Sequence, residues 1–387
     1  MTADVVVVGA GIVGTAVARE LAVRGVAVTL LDRGEVSGGT TGLGEGNVLA
    51  SDKDAGPELE LTLAGRALYD EIDTRLGGEA QVRRKGALVV HPDEATWATE
   101  PARVARLRAA GVAAEMLDAA AVREREPALT GAVHGASFFP GDLQVAPRAI
   151  ARALAREAAA AGARVRTGCA VDAIETRGGR ATGVRIADGG VVGAGAVVLA
   201  AGAWSAALAE TAGLALPLEP RWGQLVRLPG PRPPEPPLIR HKVVDGSYMA
   251  SVTSGAPGLQ VTTVLETTWD GDVLVGSSRA RRGFDTSVDP AVSEAMLARA
   301  ARLMPFVRDR PVAAAWAGLR PWLPDHLPAI GAARRVPGLW LATGHEGAGV
   351  ALGPVTGRVI AQAYCGEAPL VDLAPFDPDR FAAVPAQ

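Results

Sequence analysis

The order of apolar and polar residues at the N-terminus predicts a strand, a helix and a second strand. Residues 5–8 form an uncharged, β-branched run, which is typical of a strand buried on both faces of a sheet. Residues 12–24 have the composition of a helix, and residues 26–31 form a second apolar run of the strand type. We therefore predict that the chain begins with a β-α-β unit.

Glycines at the spacing G-x-G-x-x-G occupy the turn between the first strand and the helix. Gly9 allows a tight turn, Gly11 lets a pyrophosphate approach the backbone, and Gly14 lets the helix and strand pack closely. The helix N-terminus attracts phosphate, and Asp32 after the second strand can accept both ribose hydroxyls. A lone G-x-G-x-x-G could be an ordinary loop, but these parts in this order predict a dinucleotide site. They do not distinguish NAD from FAD.

The pattern along the rest of the chain predicts further helices and strands. The predicted helices cover residues 59–76, 94–110, 150–161 and 290–304. The predicted strands cover residues 82–91, 132–139, 164–167, 171–176, 181–187, 197–201, 224–228, 238–244, 248–252, 259–265 and 273–277. The glycine- and threonine-rich residues 37–47 predict a loop without regular structure, and a ligand-contacting role is favoured over a flexible surface loop. The proline run 229–237 is interpreted as a stiff loop between strands rather than a linker.

Two later stretches repeat the order of strand, glycine turn and helix. Residues 197–201 lead into Gly202, Ala203 and Trp204, a second turn that two-dinucleotide-fold flavoproteins have and that a plain NAD domain does not need. Residues 339–350 contain another glycine turn before a predicted helix that ends near residue 363. The N-terminus of that helix could face a developing negative charge, such as the N1–C2=O edge of a reduced flavin. The alternative is a glycine-rich helix cap.

Composition excludes several classes of protein. A length of 387 residues predicts about two domains, and a net charge of −3 without a basic block argues against a nucleic-acid partner. Two cysteines are too few for an iron–sulfur cluster or a Cys₄ zinc site, so we expect no metal, and they fit a reducing compartment. Without a recognisable signal peptide, these features predict a cytoplasmic protein. The uncharged stretch 189–209 is interpreted as a buried strand, a turn and a helix rather than a membrane span.

Taken together, these motifs resemble the D-amino-acid-oxidase-type family of FAD-dependent amine oxidoreductases. The resemblance rests on the stretches 9–14, 40–47, 201–205, 318–321, 324–325, 328–331 and 344–345, in this order. It implies an α/β fold with a Rossmann-like, two-dinucleotide-binding-type FAD domain and a second domain of mixed antiparallel sheet and helices. The implied FAD-binding domain covers residues 1–50, 146–218 and 325–387. The implied substrate-binding domain covers residues 51–145 and 219–324.

The same resemblance implies which residues serve the cofactor and the substrate. Those implied to contact FAD are Gly9, Gly11, Gly14, Asp32, Arg33, Thr40, Thr41, Gly46, Asn47, Val48, Val171, Ala201, Gly202, Trp204, Gly344, His345, Glu346, Gly347, Ala348, Gly349 and Val350. Arg320 matches the arginine that holds a substrate carboxylate, with a structural salt bridge as the alternative. Tyr248 matches a tyrosine that reaches the same carboxylate, although a packed strand tyrosine fits equally well. His345 could bind flavin or substrate, or stabilise its turn, and Gln224 could lie on the substrate side or on a strand surface.

Within the family, the chain resembles the flavin subunit of D-hydroxyproline dehydrogenase-like complexes. The residues that carry this similarity lie at 44–47, 51–53, 275–279, 283–285 and 344–347. It implies Cα hydride transfer from a small or secondary, D-configured amino acid to FAD, with an NAD- or FAD-containing partner subunit and a small [2Fe–2S] protein. Gly318 stands where relatives attach flavin through cysteine, which implies noncovalent FAD. Leu274 stands where oxidases carry a lysine thought to assist oxygen, which favours a dehydrogenase.

Other functions remain open at this point. A glycine- or sarcosine-oxidase-type enzyme would use oxygen directly and release hydrogen peroxide. A non-catalytic flavin-binding subunit is a third hypothesis, against which the position of Arg320 beside the flavin modules argues. An NAD-dependent dehydrogenase is disfavoured because the sequence has no separate pattern for a nicotinamide site.

Overall fold

The computed structural model of the chain describes residues 3–381. Numbered in chain order, its strands are β1 Ala3–Val8, β2 Val28–Leu31, β3 Asn47–Val48, β4 Ala87–His91, β5 Glu115–Asp118, β6 Gly135–Phe139, β7 Leu143–Gln144, β8 Arg164–Arg166, β9 Val171–Arg177, β10 Arg180–Ile186, β11 Val191–Leu199, β12 Glu219–Leu228, β13 Lys242–Asp245, β14 Gln260–Thr267, β15 Val273–Arg279, β16 Ala314–Trp322, β17 Ala329–Ala332 and β18 Leu339–Thr343. The α-helices are α1 Ile12–Ala22, α2 Thr40–Leu43, α3 Pro57–Arg75, α4 Glu94–Ala109, α5 Ala119–Arg125, α6 Pro147–Ala160, α7 Ser205–Glu210, α8 Tyr248–Val252, α9 Pro290–Leu303 and α10 Gly349–Tyr364.

The first sheet is built around β1. Its strands follow the order β17-β18-β11-β1-β2-β8, and β10 joins β9 to β11. Because β1 is parallel to both β2 and β11, its side chains are covered on both faces. Val5 and Val7 pack with α1 and α10, whereas Val6 and Val8 face the cluster formed with β9 and β10. This arrangement confirms the predicted β-α-β unit and the α/β fold class.

The second sheet is mostly antiparallel and carries one face of the site. Its order is β16-β12-β15-β14-β13-β4-β6-β5, with β13 and β4 parallel. Helix α9 packs on one face, where Met296 and Ala300 join Trp222 and Val275 in a buried cluster. On the central strands, β12 pairs with β16 through Arg221 opposite Arg320 and Gly223 opposite Gly318. Because side chains alternate along these strands, Arg320 and Gly223 share one face of the sheet, and it is the face opposite to α9.

One predicted strand is wrong. Residues 248–252 form the short helix α8. A stretch of five residues is too short for periodicity to separate a helix from a strand, and here local side chains decide. Asp245 accepts a hydrogen bond from the amide of Ser247 just before the helix, and the hydroxyl of Ser251 donates to the carbonyl of Tyr248. The loop predicted at 37–47 likewise contains one regular element, α2.

The apolar stretch at 189–209 folds as the sequence indicates. It forms β11, a turn at Gly202 that begins a 3-10 helix (Gly202–Trp204), and α7. Among the described residues, no helix is both long and apolar enough to cross a membrane.

The two sheets draw on different parts of the chain. All strands of the first sheet lie within residues 1–50, 146–218 and 325–387, and all strands of the second lie within 51–145 and 219–324. The division into two domains at these boundaries stays a prediction. Residues 1–2 and 382–387, at the ends of the predicted FAD-binding domain, lie outside the described part of the chain.

Candidate active site

A cavity of about 660 Å³ is lined by residues of both sheets and their connecting segments. It contains almost every residue that the sequence indicates for the cofactor or substrate. Three predicted cofactor residues do not line it, namely Gly14, Val48 and Gly344. Gly14 and Gly344 support turns beneath the wall, and Val48 is buried in a cluster with Ile12. These three residues therefore act on the shape of the wall and do not form its surface.

The first end of the cavity is built from backbone and small residues. Gly9 has a φ of 104°, and a Cβ there would lie 2.8 Å from the carbonyl carbon of Ala200. A Cβ on Gly14 would lie 3.0 Å from the carbonyl carbon of Gly9, so neither position tolerates a side chain. Asp32 accepts hydrogen bonds from the amides of Ala10 at 2.6 Å and Gly34 at 2.7 Å. Its carboxylate is thereby held at the cavity wall.

The segment after β2 closes over α1. The hydroxyl of Thr41 accepts a hydrogen bond from the amide of Ile12 at 3.0 Å, and the hydroxyl of Thr40 donates to the carbonyl of Leu319 at 2.7 Å. These two bonds tie α2 to the N-terminus of α1 and to β16. The predicted ligand-contacting segment is thus an ordered part of the wall that links the two sheets.

The glycine module at 344–350 forms the opposite wall. Glu346–Ala348 is a 3-10 helix that leads into α10, and residues 345–351 line the cavity. His345 is buried, and its Nε2 lies 2.9 Å from the hydroxyl of Thr356. Burial lowers the pKa of His345 to about 3, so the imidazole is neutral near pH 7. The histidine therefore has the intramolecular partner expected of a turn-stabilising residue, while it also lines the cavity.

Arg320 reaches the cavity from β16. Its Nη1 donates to the carbonyl of Ser278 at 3.1 Å, and no carboxylate among the described residues lies within salt-bridge distance of its guanidinium. Burial, followed by the nearby charge of Arg279, lowers the pKa of Arg320 to about 10. The side chain is therefore a half-buried cation at neutral pH, and the structural salt bridge considered as the alternative is absent from the described part of the chain.

Tyr248 lines the same part of the cavity from α8. The guanidinium of Arg279 lies 4.5 Å from the centre of its ring, and Arg279 also donates to the hydroxyl of Ser251 at 2.7 Å. Arg279 thus holds α8 against β15 by a cation–π contact and a hydrogen bond. Tyr248 is not a packed strand tyrosine.

Arg221 is an important residue that the sequence analysis missed. It donates to the carbonyls of Ser251, Val252 and Ser254 at 3.1, 3.2 and 2.8 Å, which are the free carbonyls at the end of α8. It also forms a short ion pair with Glu346. Burial opposes ionisation of Glu346, but His326 and Arg221 together keep its pKa below the ordinary value. Arg221 therefore fastens the helix of Tyr248 to the glycine module.

A second buried ion pair, Glu45 with Lys242, was also missed. Lys242 Nζ lies 3.1 Å from Glu45 Oε2, and the amide of Asn47 donates to the same oxygen at 2.5 Å. Burial opposes charge on Glu45, but Lys242 lowers its pKa, so the carboxylate that lines the cavity is ionised. A buried lysine 197 positions further along the chain leaves no local pattern by which sequence reasoning would find this pair.

Gln224 does not occupy either predicted place. It is fully buried, its side-chain oxygen accepts from the amide of Asp289 at 2.8 Å, and its side-chain nitrogen donates to Ser293 at 2.5 Å. Because side chains alternate along β12, Gln224 points away from the cavity towards α9. It is neither a substrate contact nor a surface residue.

Comparison with known proteins agrees with this geometry. The family model of the DAO-type FAD-dependent oxidoreductases matches residues 4–363. The chain belongs to this family. The cavity fits FAD because the glycine turn at Gly9–Gly14 leaves the backbone open to a phosphate and Asp32 stands at the end of β2. The protein is therefore an FAD-dependent oxidoreductase, as the sequence resemblance implied.

Individual relatives cover nearly the whole chain. Glycine oxidase from Geobacillus kaustophilus is 30% identical over 97% of each chain, and glycine oxidase from Pseudomonas aeruginosa is 32% identical over 98% of this chain and 99% of the relative. The hydrogen cyanide synthase subunit HcnC of Pseudomonas aeruginosa is 30% identical over 85% of this chain and 75% of its own length. The crystal structure of the Geobacillus kaustophilus glycine oxidase superposes with a TM-score of 0.87, covering 98% of this chain and 99% of that one.

Proposed function

We propose that the protein oxidises a small or secondary amino acid, of D-configuration where the substrate is chiral, at its Cα–N bond. The products are an imine, which water hydrolyses or which persists when cyclic, and reduced FAD. The observation that carries this proposal is the position of Arg320. Its half-buried guanidinium lines the cavity beside Gly347 and forms no ion pair within the described chain. Glu45 and Glu346 act on Arg320 by charge from beyond ion-pair distance, and a substrate carboxylate adds the direct, bidentate partner that they do not supply.

Within this proposal, the residues of the chain bind and orient. Arg320 holds the substrate carboxylate bidentately, and the hydroxyl of Tyr248 adds one hydrogen bond to it. FAD, when bound, supplies the hydride acceptor. The neutral imidazole of His345 adds no positive charge to the site, while the N-terminus of α10 offers amide donors along the cavity wall.

The relatives support amino-acid oxidation. Their names bear on whether oxygen or a partner protein accepts the electrons. Two of them are named glycine oxidase, which favours an oxidase that uses oxygen and releases hydrogen peroxide. A third is named as a subunit of hydrogen cyanide synthase, so this fold also works within a larger enzyme. Leu274, buried on β15 away from the cavity lining, supports the dehydrogenase because no lysine occupies that place.

We prefer a dehydrogenase of the D-proline or D-hydroxyproline type, with noncovalent FAD and with an NAD- or FAD-containing subunit and a small [2Fe–2S] protein as partners. Gly318 supports noncovalent FAD, because it lines the cavity at the position where a cysteine would attach flavin. The second candidate is the glycine- or sarcosine-type oxidase. A non-catalytic flavin subunit is a weaker third, because such a protein has no use for a half-buried arginine in the cavity wall that forms no ion pair within the described chain.

Anaerobic mixing of the purified protein with glycine, sarcosine, D-proline and D-hydroxyproline tests the proposal. We expect the yellow flavin band to bleach with at least one of them, and fastest with a cyclic D-amino acid. Slow return of colour on admission of air identifies the dehydrogenase, and rapid return with peroxide formation identifies the oxidase. A yellow protein that none of these amino acids bleaches contradicts the proposed function.

A further inference from the structure

The backbone conformation at Gly223 does not require a glycine. Gly223 lies in the middle of β12, and its φ is not among the positive values of the chain, so any residue can adopt its backbone geometry. Glycine inside a strand also weakens the strand relative to a residue with a side chain. The reason for a glycine at position 223 must therefore be steric, in the space that a side chain would fill.

That requirement is the guanidinium of Arg320. A Cβ on Gly223 would lie 2.6 Å from Cζ and 2.7 Å from Nη2 of Arg320, and closer still to Nη1. Carbon atoms in contact keep about 3.5 Å from their neighbours, so the guanidinium must move if residue 223 carries a side chain. The Nη1 end of the guanidinium thus occupies the space that a side chain on Gly223 would fill, on the face of β12 that lines the cavity.

Few other contacts hold the arginine in place. Its Nη1 makes one hydrogen bond, to the carbonyl of Ser278, and the described chain provides no carboxylate partner. With a single hydrogen bond, the direction of the guanidinium depends on the surface beneath it. The surface beneath it is Gly223, flanked by Gly318 on the paired strand.

We propose that Gly223 is a positioning residue, which sets the place and orientation of Arg320 for a substrate carboxylate. This inference rests on the proposed function of Arg320 and adds a second residue to that site. Gly223 itself touches the arginine and supplies no chemical group. A methyl group at this position displaces the guanidinium towards the cavity and tilts it, which weakens bidentate binding of a carboxylate.

The test is Gly223→Ala in the FAD-loaded protein, with acetate as a carboxylate probe followed by the change in flavin absorbance. We expect the Kd for acetate, and the KM for an amino acid that bleaches the flavin, to rise about 10- to 100-fold, the range for a displacement of about 1 Å. FAD should stay bound. The matched control is Gly258→Ala, because Gly258 is exposed, has no atom within 4 Å of an added Cβ and lies outside the cavity wall.

A double-variant cycle separates positioning from a general effect on the strand. In Arg320→Ala, the additional change Gly223→Ala should alter acetate binding by less than about twofold and should not lower the Tm further, because the clash is gone. The proposal is overturned if Gly223→Ala changes acetate binding and Tm equally in the wild-type and Arg320→Ala proteins. It is also overturned if the Gly223→Ala protein behaves as wild type.

Two further outcomes remain informative. If Gly223→Ala alone fails to fold, the double variant with Arg320→Ala should fold and bind FAD; its failure to do so overturns the proposal, because the defect then lies in the backbone. If wild-type protein is bleached by no amino acid, the proposed function fails, while the Tm cycle still reports whether Gly223 and Arg320 depend on each other.

Discussion

The two ends of the cavity are constructed on different principles. At the dinucleotide end, Gly9, Gly14 and Asp32 lie within twenty-four residues of sequence and act through backbone contacts. At the other end, Arg221, Arg320 and Glu346 come from separate segments and act through buried charges. The first end can be built by one local unit, whereas the second exists only when two sheets meet. The comparison teaches that cofactor affinity and substrate handling should respond to separate mutations.

Replacement of Arg320 should have the largest effect at the charged end. Arg320→Met removes the half-buried guanidinium, and we expect kcat/KM with an amino acid to fall ~10³-fold, as for loss of a charge-paired contact of about 4 kcal/mol that substrate binding buries. Rapid-mixing measurement of flavin bleaching checks this, with FAD content measured in parallel. Arg302→Met, at an exposed position on α9, is the control. Unchanged kinetics in Arg320→Met would show that the two ends do not differ as described.

At the dinucleotide end, we expect a mutation to weaken FAD binding and to leave the catalytic rate nearly unchanged. Asp32→Ala removes a carboxylate that binds two amides and stands ready for a ribose, and the Kd for FAD should rise about 10- to 100-fold, the effect of a hydrogen bond to a charged group. At saturating FAD, kcat should stay within about twofold. Titration of the apoprotein with FAD measures the first quantity, and exposed Asp54→Ala serves as the control. A large loss of kcat with intact FAD affinity is the result that contradicts the comparison.

The glycine module should show a pH dependence that comes from His345. Its folded-state pKa of about 3 lies below the ordinary value, so between pH 6.5 and pH 3 the unfolded chain binds a proton that the folded chain does not. The free energy of unfolding should therefore fall as the pH falls, with a contribution of about 2 kcal/mol from pH 6.5 to pH 5.

Urea unfolding of wild type and His345→Gln at several pH values measures this contribution. The variant should be less stable near pH 7, because Thr356 loses its partner, but its stability should depend less on pH. Exposed His134→Gln is the control. Parallel pH curves for wild type and His345→Gln would mean that the imidazole is not held neutral by burial.

The smallest effect is expected at Tyr248. Tyr248→Phe removes one neutral hydrogen bond to the substrate carboxylate but keeps the ring beneath Arg279, so KM should rise about 3- to 10-fold while the maximal rate of bleaching stays nearly constant. Tyr364→Phe, on α10 outside the cavity lining, is the control. An unchanged KM would show that the Tyr248 hydroxyl does not bind the substrate carboxylate, which Arg320 would then bind alone.

Much of the cofactor end could be predicted because its information is local. The β-α-β unit, the second turn at Gly202 and the module at Gly344 were each visible as a strand, a glycine and a helix in succession. Arg320 and Tyr248, which the resemblance implied for the substrate, both line the cavity, although α8 was taken for a strand. Arg221 was missed because nothing in its neighbours along the chain indicates that it meets α8 and Glu346.

By itself, then, the sequence determined the family, the α/β fold, the cofactor and the elements that hold its dinucleotide end, because each depends on the order of neighbouring residues. The tertiary structure alone decided that Gly223 lies beneath Arg320, that Arg221 ties α8 to Glu346, and that Lys242 keeps Glu45 ionised. The physical reason is that steric exclusion and charge compensation act over a few ångströms. Between residues that are a hundred or more positions apart, only the packed fold brings atoms to such distances.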